Sequence, residues 1–198
     1  MPQGLELDIP AGLDHAQKAI EYGQGDPDAL STGGYALGYL DFDPLAGLTH
    51  VNESLGINPN SARAHDFAGW LLCYAGQAEQ ALTHFDESIN LSRIDTFTFR
   101  ALAGKAFALF FLGQVDDAVE FARRSLMANP NFTPCHRVLA AALAFSNRDK
   151  EARQVVDELL QRVPGLTVKK FSRETRFIFP AYQNMLLDGL AKAGLPGE

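Results

Sequence analysis

Cysteine is nearly absent from the chain. Cys73 and Cys135 are its only two cysteines; they lie far apart in the sequence and form no Cys-x-x-Cys pair. Disulfide scaffolds and zinc ribbons need several closely spaced cysteines, so this content argues against both classes. It fits a reducing compartment, and we expect a cytoplasmic protein.

Long apolar runs and an excess of positive charge are also missing. No apolar stretch reaches the roughly 18 residues that a membrane-spanning helix needs, and the opening MPQGLELDIP lacks the basic and apolar regions of a signal peptide. Lys and Arg number 17 against 24 Asp and Glu, a net charge of −7. Because nucleic-acid binding is driven largely by neutralising phosphates, this balance argues against a nucleic-acid partner. The hydrophobic content of 46% excludes a disordered chain.

No alternating strand pattern of useful length appears; the chain repeats itself at helical spacing instead. LTHVNESL at 48–55 recurs as LTHFDESI at 82–89, an interval of about 34 residues. AGQAEQA at 75–81 recurs as LGQVDDA at 112–118 and again as SNRDKEA at 146–152. Apolar residues within each unit follow the helical period, with a short turn between two helices. The sequence therefore predicts an all-α protein.

These units resemble the tetratricopeptide repeat (TPR), a helix pair of about 34 residues with small, aromatic and proline positions in a fixed order. The resemblance covers about residues 12–164, with departures at Gly47, where alanine is usual, and at Asn147, where the turn glycine usually lies. It implies a right-handed α-solenoid of antiparallel helix pairs, whose concave face is built from the first helix of each pair. Binding of a protein or peptide on that face is what the resemblance implies for function.

The repeat phase also divides the chain. We expect an N-terminal half-repeat helix in 1–26, four repeats, and a C-terminal tail in 165–198. The predicted repeats are 27–61, 62–98, 99–132 and 133–164. The tail begins with a basic patch at 169–176 and continues into an amphipathic helix at about 181–193. We interpret this as a capping helix over the last repeat; contact with a partner or a membrane surface is the alternative.

The last residues carry a second resemblance. DGLAKAGLPGE at 188–198 is similar to the C-terminal tail Gly-Leu-Arg-Lys-Ala-Gly-Leu-Pro of certain bacterial class III adenylate cyclase-like proteins, with Ala191 in place of the arginine. In those proteins a cyclase domain precedes TPR repeats. The resemblance implies that this chain is the repeat region of a longer protein with an upstream cyclase domain.

Aromatic and basic residues recur on the predicted concave face. Tyr35, Trp70 and Phe107 follow one another at about one repeat length, and Arg63, Arg100 and Arg137 recur at a constant interval on the same helices. The predicted partner-binding set is Tyr35, Arg63, Trp70, Arg100, Phe107, Phe110 and Arg137. Aromatics bury much area, and arginine grips carboxylates with two hydrogen bonds, so this set suits a peptide with apolar anchors and acidic flanks. The same aromatics could instead pack against the tail or a second protomer.

Catalytic and metal-binding patterns are weak by comparison. His50 and His84 occupy equivalent repeat positions, which explains them without function, and Cys135 is interpreted as a small buried hydrophobe. We expect no catalytic residue, metal or cofactor in this chain. The predicted function is a non-catalytic interaction scaffold, a regulatory repeat region of a larger signalling protein. The alternative is an oligomerisation or spacer module of a cyclase-like protein, for example as a homodimer, without a free peptide ligand.

Overall fold

The computed structural model describes residues 8–92 and 97–198, which form eleven α-helices and no strand. In chain order these are α1 (Ile9–Tyr22), α2 (Pro27–Leu40), α3 (Pro44–Ile57), α4 (Ala62–Tyr74), α5 (Ala78–Leu91), α6 (Thr98–Phe111), α7 (Val115–Ala128), α8 (Thr133–Phe145), α9 (Asp149–Arg162), α10 (Val168–Glu174) and α11 (Pro180–Lys192). Within these two ranges, no helix combines the length and apolarity needed to cross a bilayer. The all-α prediction is confirmed. The first part of the predicted half-repeat, 1–7, lies outside the described residues.

Local sequence signals explain where the helices begin. Asp26 precedes Pro27 at the start of α2, and its carboxylate accepts a hydrogen bond of 2.9 Å from the Asp28 N–H. Asp43 repeats this arrangement before α3 by accepting from the Ala46 N–H. A carboxylate satisfies a backbone donor that has no partner inside the helix, and proline lacks the donor at the next position.

The turns inside the helix pairs share one geometry. Gly76 and Gly113 have φ angles of 85° and 77°, and Asn147, the predicted departure, has a φ of 58°. At the first turn the Gln77 N–H donates to the Leu72 carbonyl at 2.9 Å, and bonds of the same spacing and length close the other two turns. Asparagine tolerates the left-handed conformation better than most residues, so it replaces glycine here without changing the turn.

Successive helices pair into a solenoid. α2 packs on α3, α4 on α5, α6 on α7 and α8 on α9, while the first helices α2, α4, α6 and α8 also contact one another in series. α1 packs on α2, and α11 returns to pack on α8. The predicted helical-repeat solenoid is confirmed. The repeat boundaries stay predictions; the boundary placed between 98 and 99 falls inside the first turn of α6.

Glycines let neighbouring helices approach closely. The Phe85 ring is fully buried between Gly69 of α4 and Gly104 of α6, where an added Cβ would lie 2.6 Å or 2.2 Å from the ring. Phe85 therefore joins two repeats. At Gly47 of α3, a Cβ would lie 2.4 Å from the carbonyl oxygen of Gly34 in α2. This close backbone approach explains why glycine replaces the usual alanine there.

Candidate partner-binding surface

The first helices α2, α4, α6 and α8 share one face of the solenoid, which we call the concave face. Aromatic rings connect these helices in sequence. Tyr35 of α2 stacks on Phe67 of α4 with centroids 4.5 Å apart, and Trp70 of α4 meets Phe107 of α6 edge to face at 5.5 Å. The repeat phase places Tyr35, Trp70 and Phe107 at equivalent positions, and Phe67 lies about one helical turn before Trp70, so aromatic side chains line the face over three repeats.

The tail covers the C-terminal part of this face. Phe177 is 6% exposed, and its ring lies among those of Tyr74, Phe107 and Phe111 at centroid distances of 5.2, 5.3 and 5.1 Å. The Ile178 N–H donates to the Tyr74 carbonyl at 3.1 Å. A segment outside the repeats thus inserts its side chain between α4 and α6.

The two tail helices hold this segment at both ends. In α11, Leu186 and Leu190 are fully buried, and Gly189 lies so near Ala141 of α8 that a Cβ on the glycine would come within 2.6 Å of the alanine Cβ. In α10, Phe171 is buried beneath the guanidinium of Arg137, whose Cζ lies 4.7 Å from the ring centroid. The tail therefore packs as part of the core.

The N-terminal part of the concave face is open. A cavity of about 270 Å³ lies there between the beginnings of α4 and α6. We call it the open pocket; its lining residues are Thr32, Ala62, Arg63, Asp66, Phe67, Ser88, Ser92, Phe97, Thr98 and Arg100. The lining combines two aromatic rings with two arginines and one carboxylate. A cavity of this composition can take an apolar group with a charged neighbour.

One ion pair organises the pocket. The Arg100 Nε donates to the Asp66 carboxylate at 2.9 Å and so links α6 to α4, and the Arg100 guanidinium lies 5.5 Å from the Tyr35 centroid. Burial raises the pKa of Asp66, while Arg100 opposes this effect. Burial also disfavours the charge on Arg100, but Asp66 and Tyr35 outweigh it and raise the pKa of the guanidinium. The position of Arg100 is thus fixed by protein groups before any partner arrives.

The structure separates the predicted partner-binding residues into two groups. Arg63 is exposed at the open pocket, with Arg100 beside it and the half-buried Tyr35 beneath Arg100. The second group is packed within the chain: Phe107 is 2% exposed and meets Phe177 of the tail, and Trp70 is 3% exposed and packs on rings of the repeats, among them Phe85. The remaining members, Phe110 and Arg137, pack against Phe145 and Phe171 respectively.

Phe110 and Phe107 illustrate the limit of the spacing argument. Three residues along a helix turn the side chain by about 60° from full register, and here that rotation points Phe110 into the interface with α8, where it is fully buried. Trp70, Phe107 and Phe110 are therefore covered by the chain itself, Phe107 by the tail and the other two by neighbouring repeat helices. Tyr35, Arg63 and Arg100 keep their place at or beside a solvent-accessible cavity.

Sequence reasoning missed Phe67 and Phe177. Phe67 lies one helical turn after Arg63 and lines the open pocket, a spacing that could have identified it. Phe177 lies in the tail, outside the repeat pattern, so no equivalent position in another repeat could indicate its place. Its contacts follow only from the path of the chain.

The histidines and cysteines form structural contacts. His65 and His84 bring their Nδ1 atoms to 3.0 Å, and the His65 Nε2–H donates to the Pro59 carbonyl at 3.1 Å. Among the described residues, no group of three or more potential ligands is arranged to hold a metal ion. Burial raises the pKa of Cys135 to about 12, so this thiol stays protonated at neutral pH. An inert thiol is the consequence.

Comparison with known proteins gives one distant sequence relationship. No protein-family model matches the chain. The transcriptional regulator HilA of Salmonella typhimurium, like that of Salmonella typhi, is 27% identical over 160 residues. The match takes in 77% of this chain and 27% of the regulator. The chain therefore spans about a quarter of the length of these curated relatives.

Solved structures show the fold. PilW, described as a type IV pilus biogenesis factor, superimposes with a TM-score of 0.70 at 20% identity, over 94% of this chain and 81% of PilW. YrrB, described as a TPR protein with an unusual peptide-binding site, gives 0.59 at 18% identity over 91% of both chains. PilF of Pseudomonas aeruginosa gives 0.62 at 17% identity, over 94% and 88%. At these identities the likeness establishes a TPR-type fold.

Proposed function

We propose that this chain is a non-catalytic scaffold that binds a protein partner through the open pocket. The observation that carries the proposal is the open pocket itself, a cavity of about 270 Å³ on the concave face of a TPR-type solenoid. Its walls come from α2, α4, α5 and α6, so the cavity is positioned by helices of successive repeats. Binding sites built on rigid elements need little rearrangement when the ligand enters.

The lining indicates the chemistry of the partner. Phe67 and Phe97 line the pocket with apolar rings. The Asp66 carboxylate is already paired with Arg100. Arg63 is exposed at the rim. Two arginines and one carboxylate leave an excess positive charge, which favours an acidic group on the partner. We therefore propose a peptide with one apolar anchor and an adjacent Asp or Glu.

The chain would serve as a regulatory repeat region in a larger protein. Its curated relatives are transcriptional regulators that are longer than the matched part, which supports this context. The tail resemblance at 188–198 favours a cyclase-like parent as the other candidate. In that alternative the chain would act as an oligomerisation or spacer module, with no free peptide ligand.

Peptide selection on the full chain tests the proposal. A displayed random-peptide library should enrich sequences in which a large apolar residue neighbours Asp or Glu. The Arg63→Glu variant should weaken the selected peptides by about tenfold or more, because it replaces attraction at the rim by repulsion. The control Lys150→Glu changes an exposed lysine of α9, away from the pocket, and should bind normally.

Light scattering over a range of concentrations tests the alternative. A spacer module would enrich no pocket-binding peptide and would form a dimer at micromolar concentration. If the selected peptides bind the Arg63→Glu and Phe67→Ala variants as tightly as the wild-type chain, the open pocket is excluded as their binding site.

A further inference from the structure

The covered part of the concave face holds an extended segment of the chain itself. Residues 176–180, Arg-Phe-Ile-Phe-Pro, comprise most of the link between α10 and α11 together with the first residue of α11, and we call them the resident segment. Phe177 fills the space between Tyr74, Phe107 and Phe111, which we call the aromatic cage. The side chains of the resident segment therefore indicate which side chains this part of the face can bind.

The side chains of the resident segment enter the face to different depths. Phe177 is 6% exposed, whereas Ile178 and Phe179 are 45% and 42% exposed; the Phe179 ring nevertheless packs on Gly76, where an added Cβ would lie 2.5 Å from the Phe179 Cγ. One deeply buried anchor with weaker contacts beside it is a common arrangement in protein recognition. Gly76 makes room for the second aromatic ring.

Arg176 supplies a third contact through ring faces. Its Cζ lies 4.9 Å from the Tyr39 centroid and 4.0 Å from the Phe42 centroid. Within the described ranges, its Nε has no hydrogen-bond partner. The guanidinium is thus held by cation–π contacts, which any arginine presented from outside could also make.

Few main-chain bonds tie the resident segment to the repeats. In the described part of the chain, the only backbone hydrogen bond from residues 176–180 to a repeat helix runs from the Ile178 N–H to the Tyr74 carbonyl. The neighbouring tail helices have anchors of their own, Phe171 in α10 and Leu186 and Leu190 in α11. Local release of the segment therefore leaves these anchors in place.

We propose that the aromatic cage is the centre of a recognition site for an extended partner peptide of the pattern Arg-aromatic-x-aromatic, which replaces the resident segment. The peptide's first aromatic ring enters the cage as Phe177 does. Its arginine lies on Tyr39 and Phe42 as Arg176 does, and its second ring packs on Gly76 as Phe179 does. Because the resident segment is tethered, its effective concentration at the cage is in the millimolar range. A free peptide with the same side chains therefore binds well only when the resident segment is weakened or the partner adds contacts elsewhere.

This site is separate from the open pocket. Its contacts come from Tyr39, Tyr74, Phe107 and Phe111, and none of these residues lines the cavity near Arg63. The inference does not depend on the proposed function, and Arg63→Glu should leave binding at the cage unchanged. Binding at each of the two sites can therefore be tested separately.

A labelled peptide of residues 173–182, RETRFIFPAY, tests the inference by fluorescence anisotropy with the full chain. The Phe177→Ala chain, whose cage is emptied, should bind the peptide at least about tenfold more tightly than the wild-type chain, because the tethered competitor is weakened. The same peptide carrying Phe177→Ala should not bind either chain. The Ile178→Ala chain is the matched control, since this exposed side chain does not enter the cage, and it should behave as wild type.

A second variant covers the case in which Phe177→Ala does not fold. Arg176→Ala combined with Phe179→Ala removes two partly exposed contacts, leaves Phe177 in place, and should also increase peptide binding. Circular dichroism establishes that each variant is folded. Folded variants that bind the peptide no better than wild type would overturn the inference. Differently labelled wild-type chains could instead form dimers in which each tail packs on the other chain. That result would also overturn the inference, because a second copy of the chain would then occupy the aromatic cage.

Discussion

The two parts of the concave face lie toward opposite ends of the same two helices, α4 and α6, yet one is open and the other is covered. At the open pocket, Arg63 reaches solvent and the Asp66–Arg100 pair links α4 to α6. At the aromatic cage, the other end of these helices presents aromatic rings, and Phe177 of the tail fills the space between them. The two ends thus differ in their own side chains and in being reached by the tail. Repeat phase thus predicts which residues share a face, while a segment outside the repeats decides which of them are accessible.

Emptying the cage should give the largest effect on stability. Phe177→Ala removes a buried ring and is expected to lower the free energy of unfolding by about 3 kcal/mol, measured by urea denaturation. Ile178→Ala, one residue along and 45% exposed, should cost less than about 0.5 kcal/mol. Equal effects of the two changes would mean that the tail does not pack on the face.

Breaking the ion pair of the open pocket should have the next largest effect. Asp66→Ala leaves Arg100 partly buried without its carboxylate and should cost about 2 kcal/mol, less than a fully buried pair because Arg100 keeps some contact with water. Asp14→Ala is the control, since it removes the exposed pair with Lys18 on α1; it should leave the urea midpoint unchanged. A midpoint for Asp66→Ala equal to the wild-type value would show that the pair does not fix the pocket.

Acidification should weaken the repeat that carries the open pocket. Burial, followed by the nearby His65 ring, lowers the pKa of His84 below its ordinary value of 6.5, although Glu87 acts in the opposite direction. The unfolded chain therefore takes up the proton more readily, and the free energy of unfolding falls as the pH drops below about 6.5. Denaturation midpoints between pH 7.5 and 5.5 measure this slope. His84→Gln should reduce the slope without abolishing it, because burial also lowers the pKa of His136. His15→Gln, at an exposed residue of α1, should leave the slope unchanged.

The smallest expected change in stability is at the rim of the open pocket. Arg63→Glu alters an exposed side chain and should change the free energy of unfolding by less than about 0.5 kcal/mol. The same variant should bind pocket-directed peptides more weakly, although its free energy of unfolding is almost unchanged. A variant that loses both would assign Arg63 a structural role instead.

Much of the fold could be predicted because the sequence repeat determines the positions of the helices and of the turns between them. The repeat phase predicted the helix pairs, and Asn147 keeps the turn geometry of Gly76 and Gly113. The helix predicted at about 181–193 is observed as α11, at Pro180–Lys192. Its packing partner could not be fixed in the same way, because an amphipathic helix shows that it has an apolar face but not which surface covers that face.

The candidate site was predictable to a lesser extent. Spacing placed Arg63 and Arg100 at equivalent positions of stacked helices, which lie side by side, and both residues line the open pocket. That they bind a partner stays a prediction. Spacing could not show that Phe107 lies against Phe177 of the tail, because burial by a distant segment leaves no periodic signal. Both interpretations of the aromatic residues, as a partner surface and as internal packing, remained open until the path of the tail was known.

Phe85 couples the stability of the two parts of the face. Its ring lies between Gly69 of α4 and Gly104 of α6, so its contribution belongs to the junction between neighbouring repeats rather than to either repeat alone. In a linear array, strong junctions set how far unravelling spreads from the ends. Fraying that begins at α1 or at the tail should stop at this junction. The open pocket, which sits on the same two helices, would then be among the last features of the protein to be lost.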